Sequence, residues 1–411
     1  MPHIDAIRSR FPSLGRTGSD GRPLVFLDGP GGAQVPDVVI DAMAGYLRTS
    51  NANIDGAFVT SEETTALVDA TRAAAADFLG CTTEEAIFGP NMTTINFNLV
   101  HSFCRTLEAG DEIVLTALDH DANVSPWLLC ARDHDLVVRF ADVRDSDLQV
   151  EPAALQAVVG PRTKVCAFTL ASNAVGTVPD AQALVEVAHS VGALAWMDGV
   201  HYAPHRRIDV KALGADVLLC SPYKFFGPHQ GLGFAREELL ARWPADRVRP
   251  ASELPAGHRF ETGTMSHESL AGVLAAIDFV ASLGEGSDRR SQLDSAFADI
   301  VSYEAGLTAR MLDGLAEIPG MTLYGITDPA LARTRTPTFT FTLPGITPRE
   351  VCEQLARRGI LAWDGNYYAL GIMNRLGLEG HGGATRLGFL RYTSDEEVER
   401  TLAALSQIAR A

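Results

Sequence analysis

Short apolar runs alternate with segments of helical period along most of the chain. Runs of strand length lie at Glu112–Thr116, Ala193–Met197 and Val217–Cys220. Helical periodicity is clear over 64–80, which ends in glycine, and over 181–193. Because strands that alternate with helices pair side by side in one direction, the pattern predicts a mainly parallel sheet covered by helices.

The other elements of this part of the chain are marked by turn residues rather than by strong periodicity. Residues 51–64 show little periodicity and are predicted to form a long loop. Further predicted elements are a helical start at 4–14, a helix opening at Pro36, a strand at Ala86–Phe88, a helix beginning near Thr93, a helix from about Val124, a strand at 136–140, a strand ending at Ser172 and Asn173, and a helix from about His267.

The pattern changes from about Asp288 onwards and predicts a smaller α+β unit. Its predicted elements are a helix at Leu293–Leu315, strands at 322–326 and 338–343, a helix at 348–359 and a last helix at Asp395–Ala409. We therefore predict an α/β protein with a large domain over 24–285 and a small domain built from 1–23 and 286–411.

Composition and net charge limit the classes of binding partner that are expected for this chain. The chain has 411 residues, of which 46% are hydrophobic, so it can bury one large core and a smaller one. A net charge of −17 argues against a nucleic-acid or anionic-membrane partner, because both require basic patches. No apolar run of spanning length and no signal-like N-terminus occurs, and the six cysteines form no CxxC pair. The expectation is a soluble cytoplasmic protein with reduced cysteines and no metal site.

An aspartate and a lysine follow two apolar runs that are predicted to be neighbouring strands. Asp198 ends the run before it, and Lys224 lies in the polar segment after Val217–Cys220. If the chain carries pyridoxal phosphate, the lysine bonds to the cofactor aldehyde and the carboxylate keeps the pyridine nitrogen protonated. From the local pattern alone, a strand-end cap and an ordinary loop lysine remain the alternative reading.

The scarcity of lysine sharpens this choice. The chain has three lysines, and two of them, Lys164 and Lys211, lie in segments typical of a solvated surface. Lys224 alone lies in a loop rich in small and aromatic residues, between Ser221 and Gly227. It is therefore the predicted cofactor lysine.

Four short motifs lie around this lysine: MDG at 197–199, SPYK at 221–224, FFGP at 225–228 and GLGF at 231–234. They resemble the motifs of the class V aminotransferase family of fold-type I pyridoxal-phosphate enzymes, especially its cysteine desulfurase and selenocysteine lyase branch. The likeness runs from about Phe26 to Val398. It implies pyridoxal 5'-phosphate as the cofactor and a fold-type I transferase, with a mainly parallel, seven-stranded type of sheet in the large domain and a small α+β C-terminal domain.

The resemblance also implies phosphate ligands. Asn91, Met92 and Thr93 fall on a partly kept Gly-Thr-Thr phosphate-binding motif, so backbone contacts from Met92 and Thr93 are expected. By its residues alone, Thr93 is equally well an N-cap. Ser221 and Tyr223 precede the lysine and can donate hydroxyls to the phosphate. The desulfurase motif has a histidine at the position of Tyr223, and a tyrosine there resembles the pattern of kynureninase more closely.

Three further residues are implied as cofactor contacts. The DHDAN segment resembles the family's Glu-His-x-Ala pattern, so His120 is expected to stack on the pyridine ring and to be available for acid/base work. Asn173 is the expected donor to the phenolic oxygen. His201 replaces a glutamine of the desulfurases and is expected to contact the same oxygen or the ring edge.

The substrate site is implied by an arginine and a glycine-rich turn. Arg386, in ATRLGFLRY, matches the family arginine that grips the substrate carboxylate, a planar anion that a guanidinium binds with two hydrogen bonds. Gly31, Gly32 and Ala33 match a segment at the mouth of the site, where the backbone meets the substrate.

A turn of the neighbouring subunit is expected to complete the site. Gly263 and Thr264 match the Gly-Thr turn that reaches across the dimer interface to the other subunit's phosphate. The resemblance therefore implies a homodimer with shared sites. By sequence alone, ETGT is only a capped turn.

The likeness breaks at the loop that carries the desulfurase nucleophile. Tyr368 occupies the cysteine position, and no cysteine follows Cys352 in the sequence. Trp363 stands where an arginine is expected, and Asn366 and Tyr367 replace two histidines. Either the aromatic residues are packing, or they line a remodelled substrate pocket; Asn366 and Tyr368 are predicted to contact substrate.

Without a thiol nucleophile, sulfur transfer through a persulfide is not expected. The prediction is a C–S or C–Se lyase that acts on an α-amino acid by β-elimination. Transamination, epimerisation and decarboxylation use the same cofactor and stay open, with aminotransferase or epimerase as the alternative. A non-catalytic cofactor-binding partner protein is the alternative of another class. The retention of His120, Asp198, Lys224 and Arg386 argues against it.

Overall fold

The computed structural model of the protein describes residues 3–18 and 21–410. The strands are β1 (Val25–Phe26), β2 (Ala86–Gly89), β3 (Glu112–Thr116), β4 (Val137–Ala141), β5 (Thr163–Thr169), β6 (Leu194–Asp198), β7 (Val217–Cys220), β8 (Gly231–Ala235), β9 (Thr322–Tyr324), β10 (Thr338–Thr342), β11 (Ile360–Leu361), β12 (Trp363–Gly365) and β13 (Ala384–Gly388). The helices are α1 (Ile4–Arg8), α2 (Asp37–Thr49), α3 (Val59–Leu79), α4 (Met92–Cys104), α5 (Ser125–His134), α6 (Pro152–Gln156), α7 (Ala181–Ser190), α8 (Val210–Leu213), α9 (Glu237–Arg242), α10 (His267–Ala281), α11 (Arg289–Ala316), α12 (Pro348–Arg357), α13 (Leu370–Arg375) and α14 (Asp395–Ile408). None of these described helices has the length and hydropathy needed to cross a membrane.

The largest sheet has seven strands in the order β2-β8-β7-β6-β5-β3-β4. The pairs from β4 to β7 are parallel, whereas β7 pairs with β8, and β8 with β2, in the antiparallel sense. This confirms the predicted mainly parallel sheet. Because β6 and β7 are parallel neighbours, the residues that follow them meet at the carboxyl-terminal end of the sheet.

Both faces of the sheet are buried at its central strand β7. In β7, Leu218 and Cys220 pack into one hydrophobic core, and Val217 and Leu219 pack into another on the opposite face. A strand that is covered on both faces needs apolar residues at successive positions, which is the reason β7 is a continuous apolar run rather than an alternating one.

A second, four-stranded antiparallel sheet is formed by the C-terminal part, in the order β12-β13-β10-β9. Leu307 and Met311 of α11 pack with Phe339 of β10 and Leu387 of β13 in a third core. Strands β1 and β11 form a separate parallel pair. The boundaries of the two predicted domains stay a prediction.

Some element ends differ from those predicted. Helix α3 begins at Val59, inside the predicted loop over 51–64. The sequence did not indicate this start, because the first turn of the helix has no capping side chain. Strand β5 ends at Thr169, three residues before Ser172. The Ser172 hydroxyl accepts from the backbone N–H of Ala174 and Val175, and this turn takes the chain out of the sheet.

The cysteine prediction is wrong for one pair. The structure joins Cys104 of α4 to Cys130 of α5 in a disulfide, with a Cα–Cα distance of 6.2 Å. Their separation of 26 residues carries no motif, so only the packing of the two helices brings them together.

Candidate active site

A cavity of about 730 Å³ lies at the carboxyl ends of the central strands of the large sheet. Its lining joins Thr169, Asp198 and Ser221, which end or follow β5, β6 and β7, to residues of β12 and β13. The site residues predicted from the sequence that line this cavity are Met92, Thr93, His120, Asn173, Asp198, His201, Ser221, Tyr223, Lys224, Asn366, Tyr368 and Arg386. Residues from distant segments therefore share one wall, as an active site at such a sheet edge requires.

Lys224 is buried in this cavity. Its Nζ donates a hydrogen bond to the Pro30 carbonyl. Burial, together with the positive charge of Arg386, lowers the pKa of the Lys224 amine to about 7, although Asp198 opposes the shift. A large fraction of this amine is therefore uncharged at neutral pH, which is the form that reacts with an aldehyde.

Asp198 ends β6 next to β7. Its Oδ1 accepts the backbone N–H of Val200 at 2.8 Å. Burial raises the pKa of this carboxyl to about 6, and the charge of Lys224 opposes the rise. A carboxylate held in a low-dielectric site is well suited to pair with a protonated pyridine nitrogen.

The N-terminus of α4 faces the cavity. Asn91 is the N-cap, and its Oδ1 accepts the backbone N–H of Thr94 at 2.8 Å. The backbone N–H groups at the start of a helix have no intrahelical acceptor, so those of Met92 and Thr93 are available to an anion. The helix begins one residue before the predicted start near Thr93, which makes Asn91 rather than Thr93 the cap.

His120 is fixed in one tautomer. Its Nδ1 accepts the backbone N–H of Ala122 at 3.0 Å, so the neutral ring carries its proton on Nε2. Burial and the charge of Lys224 lower the pKa of this imidazole to about 4. The neutral ring has no free basic nitrogen, and this geometry favours stacking over the acid/base role. The ring of Tyr368 stacks on it, with centroids 5.6 Å apart.

His201 is a second neutral imidazole. Its Nε2 lies 2.8 Å from the hydroxyl of Thr338 on β10. Burial lowers the pKa of the His201 ring well below its usual value, and the nearby His205 adds to the effect. The contact with Thr338 ties His201 to the second sheet. His205, whose ring centre lies 5.3 Å from that of His201, is 2.9 Å from the Glu304 carboxylate of α11.

Arg386, on β13, presents an unsatisfied edge. Its Nη1 donates to the Asn173 carbonyl at 2.8 Å, and its guanidinium lies 4.1 Å from the centre of the Tyr367 ring. The Nε is buried without a hydrogen-bond acceptor among the described residues. Burial lowers the pKa of Arg386 to about 10, so it stays charged at neutral pH. Such an edge suits a carboxylate ligand.

The 363–369 loop, which carries Tyr367 and Tyr368, has an unusual backbone. Both tyrosines adopt positive φ, 55° and 57°, a conformation that costs a side-chain-bearing residue about 1 kcal/mol or more. The loop is held by the Asn173 amide, which donates to the Tyr367 carbonyl at 2.9 Å, and by the Asp121 N–H, which donates to the Tyr368 carbonyl at 2.7 Å. This conformation places Tyr368 at the cavity mouth, 70% exposed.

No cysteine lines the cavity in the part of the chain that the structure describes. Cys352, the cysteine nearest to the loop in sequence, is buried on α12. Burial raises the pKa of its thiol to about 12, so it is not a ready nucleophile.

The predicted glycine turn borders the cavity in part. Pro30 and Gly31 line the cavity, whereas Gly32 and Ala33 are not on its described wall. The Ala33 N–H donates to the Tyr223 carbonyl at 2.9 Å, which ties this turn to the segment that carries Lys224. The contact of the turn with substrate stays a prediction.

Gly263 and Thr264 lie on an exposed turn, outside the cavity of their own chain. The turn is anchored by Glu261, whose carboxylate pairs with Arg72 at 2.8 Å. Their expected contact across a dimer interface stays a prediction.

Sequence reasoning missed several lining residues. Phe97 lies one helical turn after Thr93 on α4, a spacing that could have revealed it. Asp121 and Ser125 follow His120 and are joined by a hydrogen bond of 2.6 Å. Their part in the wall depends on how the chain turns into α5, for which the sequence gives no signal.

Comparison with known proteins agrees with this geometry. The aminotransferase class-V family model matches residues 25–401. A probable cysteine desulfurase of Streptomyces coelicolor is 31% identical, over 98% of this chain and 96% of its own length. An aminotransferase-like protein of Gibberella zeae is 30% identical, over 98% of each chain.

Two solved structures share the fold. The apo cysteine desulfurase of Thermococcus onnurineus NA1 has a TM-score of 0.87 and 25% identity, over 100% of this chain and 99% of that one. A C-DES mutant with glycine covalently linked to its PLP cofactor has a TM-score of 0.80 and 19% identity, over 99% of both chains.

Proposed function

Because the chain belongs to the class-V aminotransferase family and is a cysteine desulfurase-like enzyme that depends on pyridoxal phosphate, we propose that it cleaves a C–S or C–Se bond of an α-amino acid by β-elimination. The observation that carries the proposal is a cavity that joins Lys224, Asp198 and Arg386 but has no thiol on its described wall. When bound there, the cofactor supplies an electron sink for negative charge at the substrate Cα.

Lys224 would hold the cofactor at its aldehyde carbon, and Asp198 would hold it at its pyridine nitrogen. Lys224 would form the covalent link, and its amine, once released, would take the proton from the substrate Cα, because a pKa of about 7 leaves a large fraction of it uncharged at neutral pH. Asp198 would pair with the pyridine nitrogen. His120 would stack on the ring as a neutral donor from Nε2, and its fixed tautomer would keep it from competing for the proton.

The phosphate and phenolic ends are held by polar groups. The N–H groups of Met92 and Thr93 and the hydroxyls of Ser221 and Tyr223 would hold the phosphate. Asn173 and His201, which line the cavity, would contact the phenolic oxygen. The Asn173 amide donates one hydrogen to the Tyr367 carbonyl at 2.9 Å and keeps the other for this contact.

A second copy of the chain completes the phosphate site in this proposal. Gly263 and Thr264 are exposed and lie outside their own cavity, as residues that serve a neighbouring subunit must. The protein is accordingly a homodimer with shared sites.

Arg386 binds the substrate carboxylate through its free edge, which leaves the substrate side chain pointing to the mouth of the cavity. There it meets Asn366 and Tyr368; Pro30 and Gly31 also line the cavity.

The absence of a thiol from the described cavity wall determines what happens to the sulfur of the substrate in this proposal. A desulfurase keeps sulfur on a cysteine as a persulfide and releases alanine, which requires a nucleophilic thiol next to the substrate. Elimination requires none. The electron pair of the broken Cα–H bond forms the new double bond, sulfur leaves with the electrons of the C–S bond, and water releases the keto acid and ammonia. Cysteine would give pyruvate, ammonia and sulfide.

The test is a panel of amino acids offered to the cofactor-loaded protein, with cysteine, selenocysteine and S-substituted cysteines included. The proposal predicts keto acid in step with sulfide, selenide or thiol. Amino-group transfer to an added oxo acid would assign an aminotransferase instead, and loss of optical activity without product would assign an epimerase. Cofactor binding with no turnover of any member would favour the non-catalytic alternative.

A further inference from the structure

We propose that Tyr367 is a positioning residue, which holds the Arg386 guanidinium in the orientation that the substrate carboxylate requires. The inference rests on the carboxylate-binding role of Arg386 in the proposed function. It makes the 363–369 loop part of carboxylate recognition rather than only a wall for the substrate side chain.

The first observation is a stack between the two side chains. The central carbon of the Arg386 guanidinium lies 4.1 Å from the centre of the Tyr367 ring. A planar guanidinium that rests on an aromatic face is attracted by the ring and can no longer turn out of the plane of contact. The ring therefore covers one side of the Arg386 guanidinium.

The ring itself is fixed to the same strand as the arginine. The Tyr367 hydroxyl donates to the carbonyl of Ala384, which lies two residues before Arg386 on β13. The hydroxyl stays neutral, because burial raises the pKa of Tyr367. A neutral side chain orients the arginine without adding a negative charge that would compete with the substrate carboxylate.

A second contact closes the arrangement. Arg386 Nη1 donates to the Asn173 carbonyl at 2.8 Å, and the Asn173 amide donates to the Tyr367 carbonyl at 2.9 Å. The guanidinium is therefore held by one face and one nitrogen. Its Nε is buried and has no acceptor among the described residues, so the guanidinium keeps hydrogen-bonding capacity that these residues do not use.

The positive φ of Tyr367 follows from this role. At 55° the backbone places the ring over Arg386 and the carbonyl towards Asn173 at the same time. Backbone strain of this kind persists only where surrounding contacts hold it, and here both contacts are to residues of the cavity.

The test uses two probes that react with the cofactor carbonyl and differ only in a carboxylate. Aminooxyacetate and methoxyamine both displace Lys224 and change the absorbance, but only aminooxyacetate carries an anion for Arg386. The ratio of their second-order rate constants therefore measures carboxylate recognition without knowledge of the natural substrate. For wild-type holoenzyme this ratio is expected to favour aminooxyacetate.

Replacing the ring should remove most of this preference. Tyr367→Leu is expected to lower the aminooxyacetate rate constant about tenfold and to leave that of methoxyamine unchanged. Tyr367→Phe keeps the stack and should keep most of the preference. Tyr367→Met, which also lacks a ring, replaces Tyr367→Leu if the latter does not fold.

The chain offers a matched control in a second stack. The Arg391 guanidinium lies 4.1 Å from the centre of the Tyr303 ring, outside the cavity. Tyr303→Leu should leave the ratio unchanged. An unchanged ratio in folded Tyr367→Leu and Tyr367→Met would overturn the positioning role. A wild type that shows no preference would instead overturn carboxylate binding by Arg386, and with it the proposed substrate site.

Discussion

Lys224 is the residue whose environment makes the clearest quantitative prediction. Burial and Arg386 lower the pKa of its amine to about 7, and covalent capture of the cofactor requires the uncharged amine. Cofactor uptake by the apo protein should therefore accelerate as the pH rises through about 7 and level off above it. The rate of the absorbance change on adding pyridoxal phosphate measures this, with Nα-acetyl-lysine as the control for the cofactor's own ionisation. Acceleration only near the ordinary lysine value would contradict the account.

Arg386 makes a linked prediction, because its charge is one cause of the lowered lysine pKa. Arg386→Gln removes that charge, so the midpoint of cofactor uptake should move to higher pH than in the wild type. Burial, the larger cause, is left in place, so the midpoint should stay below the ordinary lysine value. An unmoved midpoint would show that the two charges do not interact.

Single residues were predictable where a strand end or a motif fixes their place. Asp198 and Lys224 follow apolar runs that had to be neighbouring strands, and both line the cavity. Of Gly31, Gly32 and Ala33, which were all expected at the substrate, only Gly31 lies on the described cavity wall, because the direction of each peptide in a glycine-rich turn cannot be read from composition. The αL backbone of Tyr367 was not predictable either, since tyrosine gives no signal for positive φ.

At the scale of elements, the turn with Gly263 and Thr264 is anchored by one buried ion pair. The Glu261 carboxylate contacts the Arg72 guanidinium of α3 at 2.8 Å and accepts the Phe88 N–H of β2 at 2.9 Å. Glu261→Gln leaves the arginine buried without its partner, so the free energy of unfolding should fall by about 3 kcal/mol. Chemical denaturation measures the change.

An exposed pair serves as the control for that substitution. Glu253 contacts Arg247 with its side chain 66% exposed. Glu253→Gln should change the free energy of unfolding by less than about 1 kcal/mol, because solvent screens such pairs. Equal effects of the two substitutions would contradict the anchoring role of Glu261.

The Glu261 carboxylate should also make the free energy of unfolding depend on pH in the acid range. Burial alone would raise the pKa of Glu261, but His258 and Arg72 outweigh it and hold the pKa below the usual 4.5. A depressed folded pKa stabilises the protein above the unfolded value and loses that contribution as the pH falls through the folded value. The free energy of unfolding should therefore decline below about pH 4.5, and the decline should be shallower in Glu261→Gln. An identical acid profile in the two proteins would contradict this.

Element types were more predictable than element ends. The run of β7 was placed at its observed bounds, because a strand that is buried on both faces is apolar at successive positions, and the bounds predicted for β3 also match. The start of α3 was missed since it has no side-chain cap, and the 363–369 loop takes its shape from contacts with Asn173 and Asp121 in another part of the chain.

At the scale of the whole molecule, the account predicts a homodimer. Light scattering of the holoenzyme should give about twice the 44.0 kDa of one chain. Because Thr264 serves the neighbour's phosphate in this proposal, Thr264→Ala should weaken cofactor binding without changing the fold. A fully cofactor-loaded monomer would contradict the shared site.

The overall architecture followed from the order of apolar runs and helical segments, which allows few arrangements other than a parallel sheet between helices. The disulfide between Cys104 and Cys130 did not follow, because it depends on how α4 packs on α5. The make-up of the cavity followed in part, since the motif residues were recognisable but the wall from Phe97 and Asp121 depends on tertiary packing.

The most direct test of the central claim is the balance of carbon and sulfur products from the cysteine derivative that the holoenzyme turns over. Elimination without a thiol predicts one keto acid and one free sulfide or thiol per substrate, no alanine, and no sulfur left on the protein. Lys224→Ala should abolish both products. Alanine formed in step with protein-bound or acceptor-bound sulfur would contradict the account, because it would require a thiol nucleophile, and the described residues of the cavity wall include none.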